Sequence, residues 1–264
     1  MAKGQIVSIH SYRGGTGKSN LTANVAFQLA TRGKRVAVLD TDLQSPGVHM
    51  VLQLDTKRLS HTLSDYLFGT CEIDEAAYDM SARLPDESTG KLWLLPSSMA
   101  VDKIVKIAHD GYDANRLNDQ LDQLIEDLEL DYLILDTHPG LNRETMLSTA
   151  ISQILIVLIR PDTQDFHGTA VLMEVAGRLG VPHVFMVGNK VPRALDHGEL
   201  KTRIEQSFNR EVLGLLPLAE DLAALGSNGL FSEKMADHPA SRELNRIVDG
   251  LLARTEPKGG GGAS

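Results

Sequence analysis

Arg13-Gly14-Gly15-Thr16-Gly17-Lys18-Ser19 lies between an apolar run with Ile6, Val7 and Ile9 and a helix-like run with Leu21, Val25, Ala26 and Leu29. Strand, glycine turn, then helix is the setting in which a backbone loop cradles nucleotide phosphates. Gly14, Gly15 and Gly17 carry no Cβ, so their N–H groups can approach an anion closely. The helix that starts here adds unpaired donors and a partial positive charge. In such a loop Lys18 reaches the β- and γ-phosphates and the Ser19 hydroxyl binds Mg²⁺. Thr16 and Asn20 complete the candidate phosphate-facing segment. An ordinary strand-to-helix turn would leave the Gly-Lys-Ser ending without a reason.

The plain pattern G-x-x-x-x-G-K-[ST] places Gly at position 12, whereas this chain has Tyr12 followed by Arg13. A basic residue directly before Gly-Gly-x-Gly-Lys-[Ser/Thr] resembles the deviant loop of the ParA/MinD family of dimeric ATPases. That family usually has Lys at this signature position, and its side chain crosses a dimer interface to the partner's phosphates. The resemblance implies the same reach for Arg13 within an ATP-dependent homodimer. Arginine keeps the charge and adds bidentate donation, but differs from Lys in geometry. Arg13 as a surface cation near its own subunit's phosphates is the other reading, and the residues leave both open.

Asp40-Thr41-Asp42 follows an apolar strand, and two carboxylates two residues apart on extended chain point the same way. By resemblance this D-x-D segment forms the first switch, with Asp42 orienting the attacking water and Asp40 near the Mg²⁺ shell. Phosphoryl transfer asks mainly for positioning and charge neutralisation, which such groups supply. Asp131 to Asp136 is similar to a Walker B strand ending in a metal-binding acid, Asp136. His138 follows in the loop, where a hydrogen-bonded structural histidine is the commoner outcome. Pro139-Gly140 supplies a bendable second switch able to sense a γ-phosphate. Asn189 closes a later strand where related ATPases hydrogen-bond adenine, and Pro217 stands where the family packs a loop against the base. Arg160 to Asp165 leaves another strand end and is expected at the dimer face. The resemblance runs from residue 5 to about residue 254, and its cofactors are ATP and Mg²⁺.

Apolar residues make up 42% and charged residues 23% of the 264 residues, which is ordinary for a chain with a real core. Cys71 stands alone, which excludes an intrachain disulfide and deprives a shared iron–sulfur cluster of paired ligands. The composition fits a reducing, cytoplasmic setting. Met-Ala-Lys-Gly-Gln leads into a strand without a signal-peptide apolar region. The longest apolar run, Ile154 to Ile159, is too short to span a bilayer and reads as a buried strand. A net charge of −9 argues against wholesale coating of nucleic acid.

Strand-like runs near 5–10, 35–40, 92–95, 131–136, 153–160, 182–188 and 212–216 alternate with helical runs. The helices are expected near 18–32, 59–68, 114–129, 143–151, 166–180, 197–209, 219–226 and 240–254. Strands apolar on both faces, alternating with helices, predict an α/β, doubly wound, mostly parallel sheet with ligands at the strands' carboxyl ends. Residues 1–256 are expected to form a single P-loop ATPase domain and 257–264 a flexible glycine-rich tail.

The resemblance implies a slow Mg-dependent ATP hydrolase acting as a dimerisation switch that positions a cellular cargo, with a protein activator or cargo adaptor. A membrane or a non-specific DNA surface, or nucleoid, is a further platform. For lipid, Leu244, Ile247, Val248, Leu251 and Leu252 mark one helix face, which core packing explains at least as well. For DNA, residues 189–210 carry Lys190, Arg193, Lys201, Arg203 and Arg210 against Asp196, Glu199 and Glu205; a solvated helix face explains them equally. A regulatory module that binds ATP with negligible turnover is the alternative, and Arg13 keeps it open. No residue cluster supplies the second substrate pocket that a ligase would need.

Overall fold

The computed structural model describes residues 4–111 and 114–255; the glycine-rich tail expected at 257–264 lies outside them. Eight strands form one sheet: β1 (Gln5–His10), β2 (Arg35–Asp40), β3 (Tyr78–Asp79), β4 (Lys91–Leu95), β5 (Tyr132–Asp136), β6 (Ile154–Ile159), β7 (His183–Val191) and β8 (Val212–Pro217). Their order is β3-β4-β2-β5-β1-β6-β7-β8, parallel throughout except for the β3–β4 edge. β5 and β6 are buried at every residue, the expected consequence of helices covering both faces of a parallel sheet. The sequence therefore forms the doubly wound α/β architecture its alternation predicts.

The helices are α1 (Lys18–Thr31), α2 (Val48–Val51), α3 (Leu63–Leu67), α4 (Val101–Asp110), α5 (Ala114–Asp127) and α6 (Arg143–Ala150). They continue as α7 (Thr163–Leu179), α8 (His197–Phe208), α9 (Glu220–Leu225), α10 (Phe231–Lys234) and α11 (Pro239–Thr255). α1 is buried over Leu21 to Ala30 without a break, so it is a core helix rather than a surface one. Two of its buried polar side chains tie it to other elements. Thr22 donates to Asp136, and Asn24 takes the Ser232 N–H on its Oδ1.

Several boundaries differ from those expected, for local reasons. The helix expected at 59–68 is only α3, because Thr62 and Asp65 close a capping box that starts it at Leu63. α7 begins at Thr163 rather than 166, since the Asp162 carboxylate accepts the Asp165 N–H and caps it. β7 continues to Val191 through Lys190, which adopts a φ of 54°. α4 and the two-residue β3 were not expected. α4 exposes Val101 and Val105 and buries only Ile107, so its apolar residues give no core-facing pattern.

The face formed by Leu244, Ile247, Val248 and Leu251 on α11 is wholly buried, with Leu252 packed beside it. It meets β8, where a Cβ on Gly214 would stand 2.6 Å from Ile247 Cγ1. Arg32 at the end of α1 binds Asn245 and Asp249 on the polar side of the helix. This face belongs to the core, so the lipid-binding reading of the helix has no free apolar surface. No described helix is long and apolar enough to cross a membrane.

Ile247→Ala should therefore lower unfolding free energy by about 2–5 kcal/mol, the range for a buried large-to-small change. Arg246→Ala, on the exposed side, should stay within about 0.5 kcal/mol of wild type. Chemical denaturation of both variants checks this, and similar small losses would contradict a core role for α11.

Candidate functional site

The loop after β1 is built around backbone that only glycine adopts readily. Gly15 has a φ of 69° and Gly17 a φ of 99°, both left-handed. Gly17 is the N-cap of α1 and provides no side-chain cap, so the first N–H groups of that helix are left for another acceptor. A Cβ on Gly17 would also stand 2.6 Å from Asn189 Nδ2. Gly14, Gly15, Gly17, Lys18, Ser19 and Asn20 line one cleft of about 640 Å³ with Asp42, His138, Asn189 and Pro217. That size suits a small-molecule ligand.

Lys18 is buried, and burial lowers its pKa, opposed by the nearby carboxylates of Asp136 and Asp42. Asp136 ends β5 with no exposed surface. Its Oδ2 accepts from Ser19 Oγ at 2.6 Å and its Oδ1 from Thr22 Oγ1 at 2.9 Å. Burial still raises its pKa to about 6, against the pull of Ser19, Lys18 and Thr22. Asp40, beside it at the end of β2, accepts the Gly47 N–H at 3.1 Å. Burial first, then Asp136 and Asp42, push its pKa well above the usual carboxylate range. Asp42 accepts the Ser45 N–H at 3.2 Å. Its pKa is also raised by burial, partly offset by His138 and Lys18. One buried ammonium thus faces a crowded set of acids, an arrangement in want of further positive charge.

The ends of four adjacent strands are laced by hydroxyls. Ser97, just past β4, donates to the Asp40 carbonyl at 2.6 Å. Thr41, just past β2, donates to the Asp136 carbonyl at 2.9 Å. Thr137, just past β5, donates to the Ile9 carbonyl at 3.0 Å. The Asp136 and Ile9 carbonyls also accept the backbone N–H of the same threonine, so each threonine is held twice, and together the three bonds hold both acid-bearing turns in register with β1.

The structure brings most of the expected residues to one place and separates others. Asp40 and Asp136 sit behind the loop and do not line the cleft wall. Thr16 turns inward, donating to Ser11 Oγ at 2.8 Å. Asn189 spends its side chain on protein: Nδ2 donates to the Thr16 carbonyl at 2.7 Å and Oδ1 accepts the Lys190 N–H. His138 Nε2 stands 4.0 Å from Asp42 Oδ1 at the cleft mouth. Arg13 lies outside the cleft, with Nη1 at 3.4 Å from Asp162 and 3.5 Å from Asp165. Arg160 holds the same two acids.

Sequence reasoning missed Lys190, whose Nζ donates to the Gly15 carbonyl at 2.7 Å and so fastens the phosphate loop from the far strand. It also missed Thr41 and Thr137. The repeated Asp-Thr pair at two strand ends was the visible signal.

Comparison with known proteins places this geometry. Residues 4–180 match the family model described as AAA domain. A relative from Methanocaldococcus jannaschii described as an uncharacterized ATP-binding protein is 28% identical, covering 93% of this chain and 87% of its own length. The septum site-determining protein MinD of Thermotoga maritima is 24% identical over 86% of this chain and 80% of its own. Among solved structures, MinD of Pyrococcus horikoshii in complex with Mg-ADP shares the fold. Its TM-score is 0.77 at 20% identity, over 96% of this chain and 99% of that chain. With the glycine loop and its lysine in one cleft and the acid-ended strands directly behind it, the chain belongs to the AAA-domain family and, within it, to the ParA/MinD P-loop ATPases.

Proposed function

We propose that this protein is a Mg-dependent ATPase whose bound nucleotide switches it between monomer and homodimer, and that the dimer positions a cargo through a protein adaptor. The observation that carries this reading is the buried Lys18 between the glycine loop and the Asp40–Asp42–Asp136 group. The loop's N–H groups and Lys18 hold the phosphates, while Leu216, Pro217 and Leu222 offer an apolar wall to the base. Asp42 orients the attacking water. A septum site-determining MinD relative and a MinD complexed with Mg-ADP support the positioning role and a Mg-nucleotide ligand.

The donor set suits Mg²⁺. Among the described residues no group of three or more His, Cys, Asp or Glu is arranged to hold a metal by itself. Mg²⁺ commonly takes one or two protein oxygens and completes its shell with phosphates and water. Ser19 would provide the direct ligand, with Asp136 and Asp40 holding the outer shell. When bound, the ion neutralises charge on the phosphates and on these acids.

Arg13 supports a second reading. Its contacts to Asp162 and Asp165 lie within its own subunit. If they persist with ATP bound, no cation crosses to a partner, and the protein is a nucleotide-shaped regulatory module with negligible turnover.

Lys18→Ala should weaken ATP binding at least about tenfold, the cost of one charge-assisted contact. Asp42→Ala should bind Mg-ATP, accumulate as a dimer, and lose turnover by about 10²-fold or more. Calorimetry, light scattering and phosphate release measure the three quantities. An Asp42→Ala protein that stays monomeric with ATP refutes the dimer switch.

The acid cluster also sets a pH dependence. Asp136 has a folded pKa of about 6 against an ordinary 3.8, so the folded state holds the extra proton between these values. Its contribution to stability therefore declines as pH rises from about 4 to about 6, and the ionised group is a net cost above that window. Asp136→Asn should equal or exceed wild type in nucleotide-free stability near pH 7.5, by up to about 3 kcal/mol. The gap should close as pH falls towards about 4, and Mg-nucleotide binding should be lost. Calorimetric unfolding across pH checks the sign, and a variant that grows less stable than wild type as pH rises contradicts it.

A further inference from the structure

Asn20 stands in the first turn of α1, directly after Ser19, and lines the cleft. Both ends of its side-chain amide are nevertheless committed to protein. Nδ2 donates to the Gly226 carbonyl at 3.1 Å, and Oδ1 accepts from Asn24 Nδ2 at 2.9 Å. Asn24, one turn further on and fully buried, takes the Ser232 N–H on its own Oδ1 at 3.0 Å. A backbone carbonyl at one end of this relay and a backbone N–H at the other fix the orientation of both amides. Two asparagines four apart share one face of α1, so a single helix face grips the chain at Gly226 and again at Ser232. The gripped stretch borders the end of the cleft away from the phosphates. Leu222, Ala223 and Leu225 of α9 line it, followed by Gly226 and Phe231. Yet α9 has six residues and buries none of them fully, and Leu222 and Leu225 rest on the core only partly buried. A helix that short does not hold its place by itself. It ends at Gly226, whose φ of 57° is left-handed and whose carbonyl meets Asn20.

We propose that Asn20 is a positioning residue for the base end of the cleft: through Gly226 it sets where the α9 wall stands relative to Lys18, and so acts on the base through that wall and not on the phosphates. This inference rests on the nucleotide reading above. One turn of α1 then serves both ends of the ligand, the phosphates through Lys18 and Ser19 and the base through Asn20.

Asn20→Ala removes the relay's first link without weakening α1, since alanine is the better helix former. Calorimetry with Mg-ADP and with Mg-pyrophosphate, which carries no base, separates the two ends of the cleft. Asn20→Ala should lose about three- to tenfold in affinity for Mg-ADP, the worth of one neutral hydrogen bond. It should bind Mg-pyrophosphate within about twofold of wild type, whereas Lys18→Ala should weaken both ligands. Equal losses for the two ligands in Asn20→Ala, or no loss for either, overturn the inference. Hydrogen exchange on the nucleotide-free proteins adds a test that does not depend on ligand affinity. Residues 221–232 should exchange at least about threefold faster in Asn20→Ala than in wild type, with β5 and β6 unchanged. Equal exchange over 221–232 overturns the inference even where pyrophosphate binds too weakly to titrate. Wild type that takes up no Mg-ADP would instead refute the cleft reading on which the inference rests.

Discussion

The site depends on keeping a carboxylate, Asp136, out of water at the end of β5. A buried anion is costly unless it is paired and hydrogen-bonded, and the surrounding elements are arranged around that need. Ser19 and Thr22 come from the first turn and a half of α1 and donate to both oxygens. Lys18, one residue earlier, lies close enough to pull its pKa down. The helix that presents donors to the cleft is thereby anchored through the acid, and the acid is tolerated because of the helix. Asp40 and Asp42 are buried beside Asp136, and burial foremost raises the pKa of both, with the neighbouring acids adding to it at Asp40. A bound Mg²⁺ would bring two positive charges to these acids and favour their ionised forms, while the nucleotide's phosphates would face Lys18 and the loop.

The rest of the fold makes this arrangement rigid where rigidity serves and loose where it does not. α1 is buried between the sheet on one side and α2, α10 and α11 on the other, so its N-terminus cannot drift. The hydroxyl laces from Ser97, Thr41 and Thr137 tie β4, β2, β5 and β1 together just where the sheet ends. Beyond the laces come the turns 42–47 and 138–142, which contain Pro46, Gly47, Pro139 and Gly140. A displacement of either turn is therefore referred to a fixed edge. Asn189 and Lys190 reach the loop from β7, on the opposite side of β1, and bind its Thr16 and Gly15 carbonyls. The phosphate loop is held from behind by carbonyl contacts, which leaves its N–H groups turned to the cleft.

Much of this was legible in the residues. Strands such as Tyr132–Asp136 and Ile154–Ile159 are continuous apolar runs, and a buried parallel strand imposes just that composition. Gly15 and Gly17 stand where φ is positive, and Lys18 and Ser19 where the motif places them. What the residues did not show has physical causes as well. Asn189, expected at the base, does line the cleft, but its bonds to Thr16 and Lys190 could not be read because they depend on tertiary proximity across 173 positions of sequence. α4 was missed because most of its apolar residues face outward. The α11 stripe had the same periodicity for lipid or for core, and only the position of Gly214 beneath Ile247 distinguishes them.

Under the proposed dimer switch, Arg13 would serve both rest and action without a change of fold. In this structure it shares Asp162 and Asp165 with Arg160, so two cations face two acids at the cap of α7. Arg160 makes the closer contacts to Asp165, at 3.0 Å against 3.5 Å for Arg13. Losing Arg13 would therefore leave the buried Asp165 still paired, which keeps the cost of its departure low. Tyr12 lies flat against Gly168 on α7, where any Cβ would overlap its ring, and so sets the height at which Arg13 leaves the loop. At an exposure of 38%, Arg13 makes bonds to the acids that solvent screens. A partner's phosphates, desolvated in an interface and more highly charged, would hold a guanidinium more tightly than these acids do. In the proposed dimer switch, the direction of the exchange would follow from the difference between the two sites.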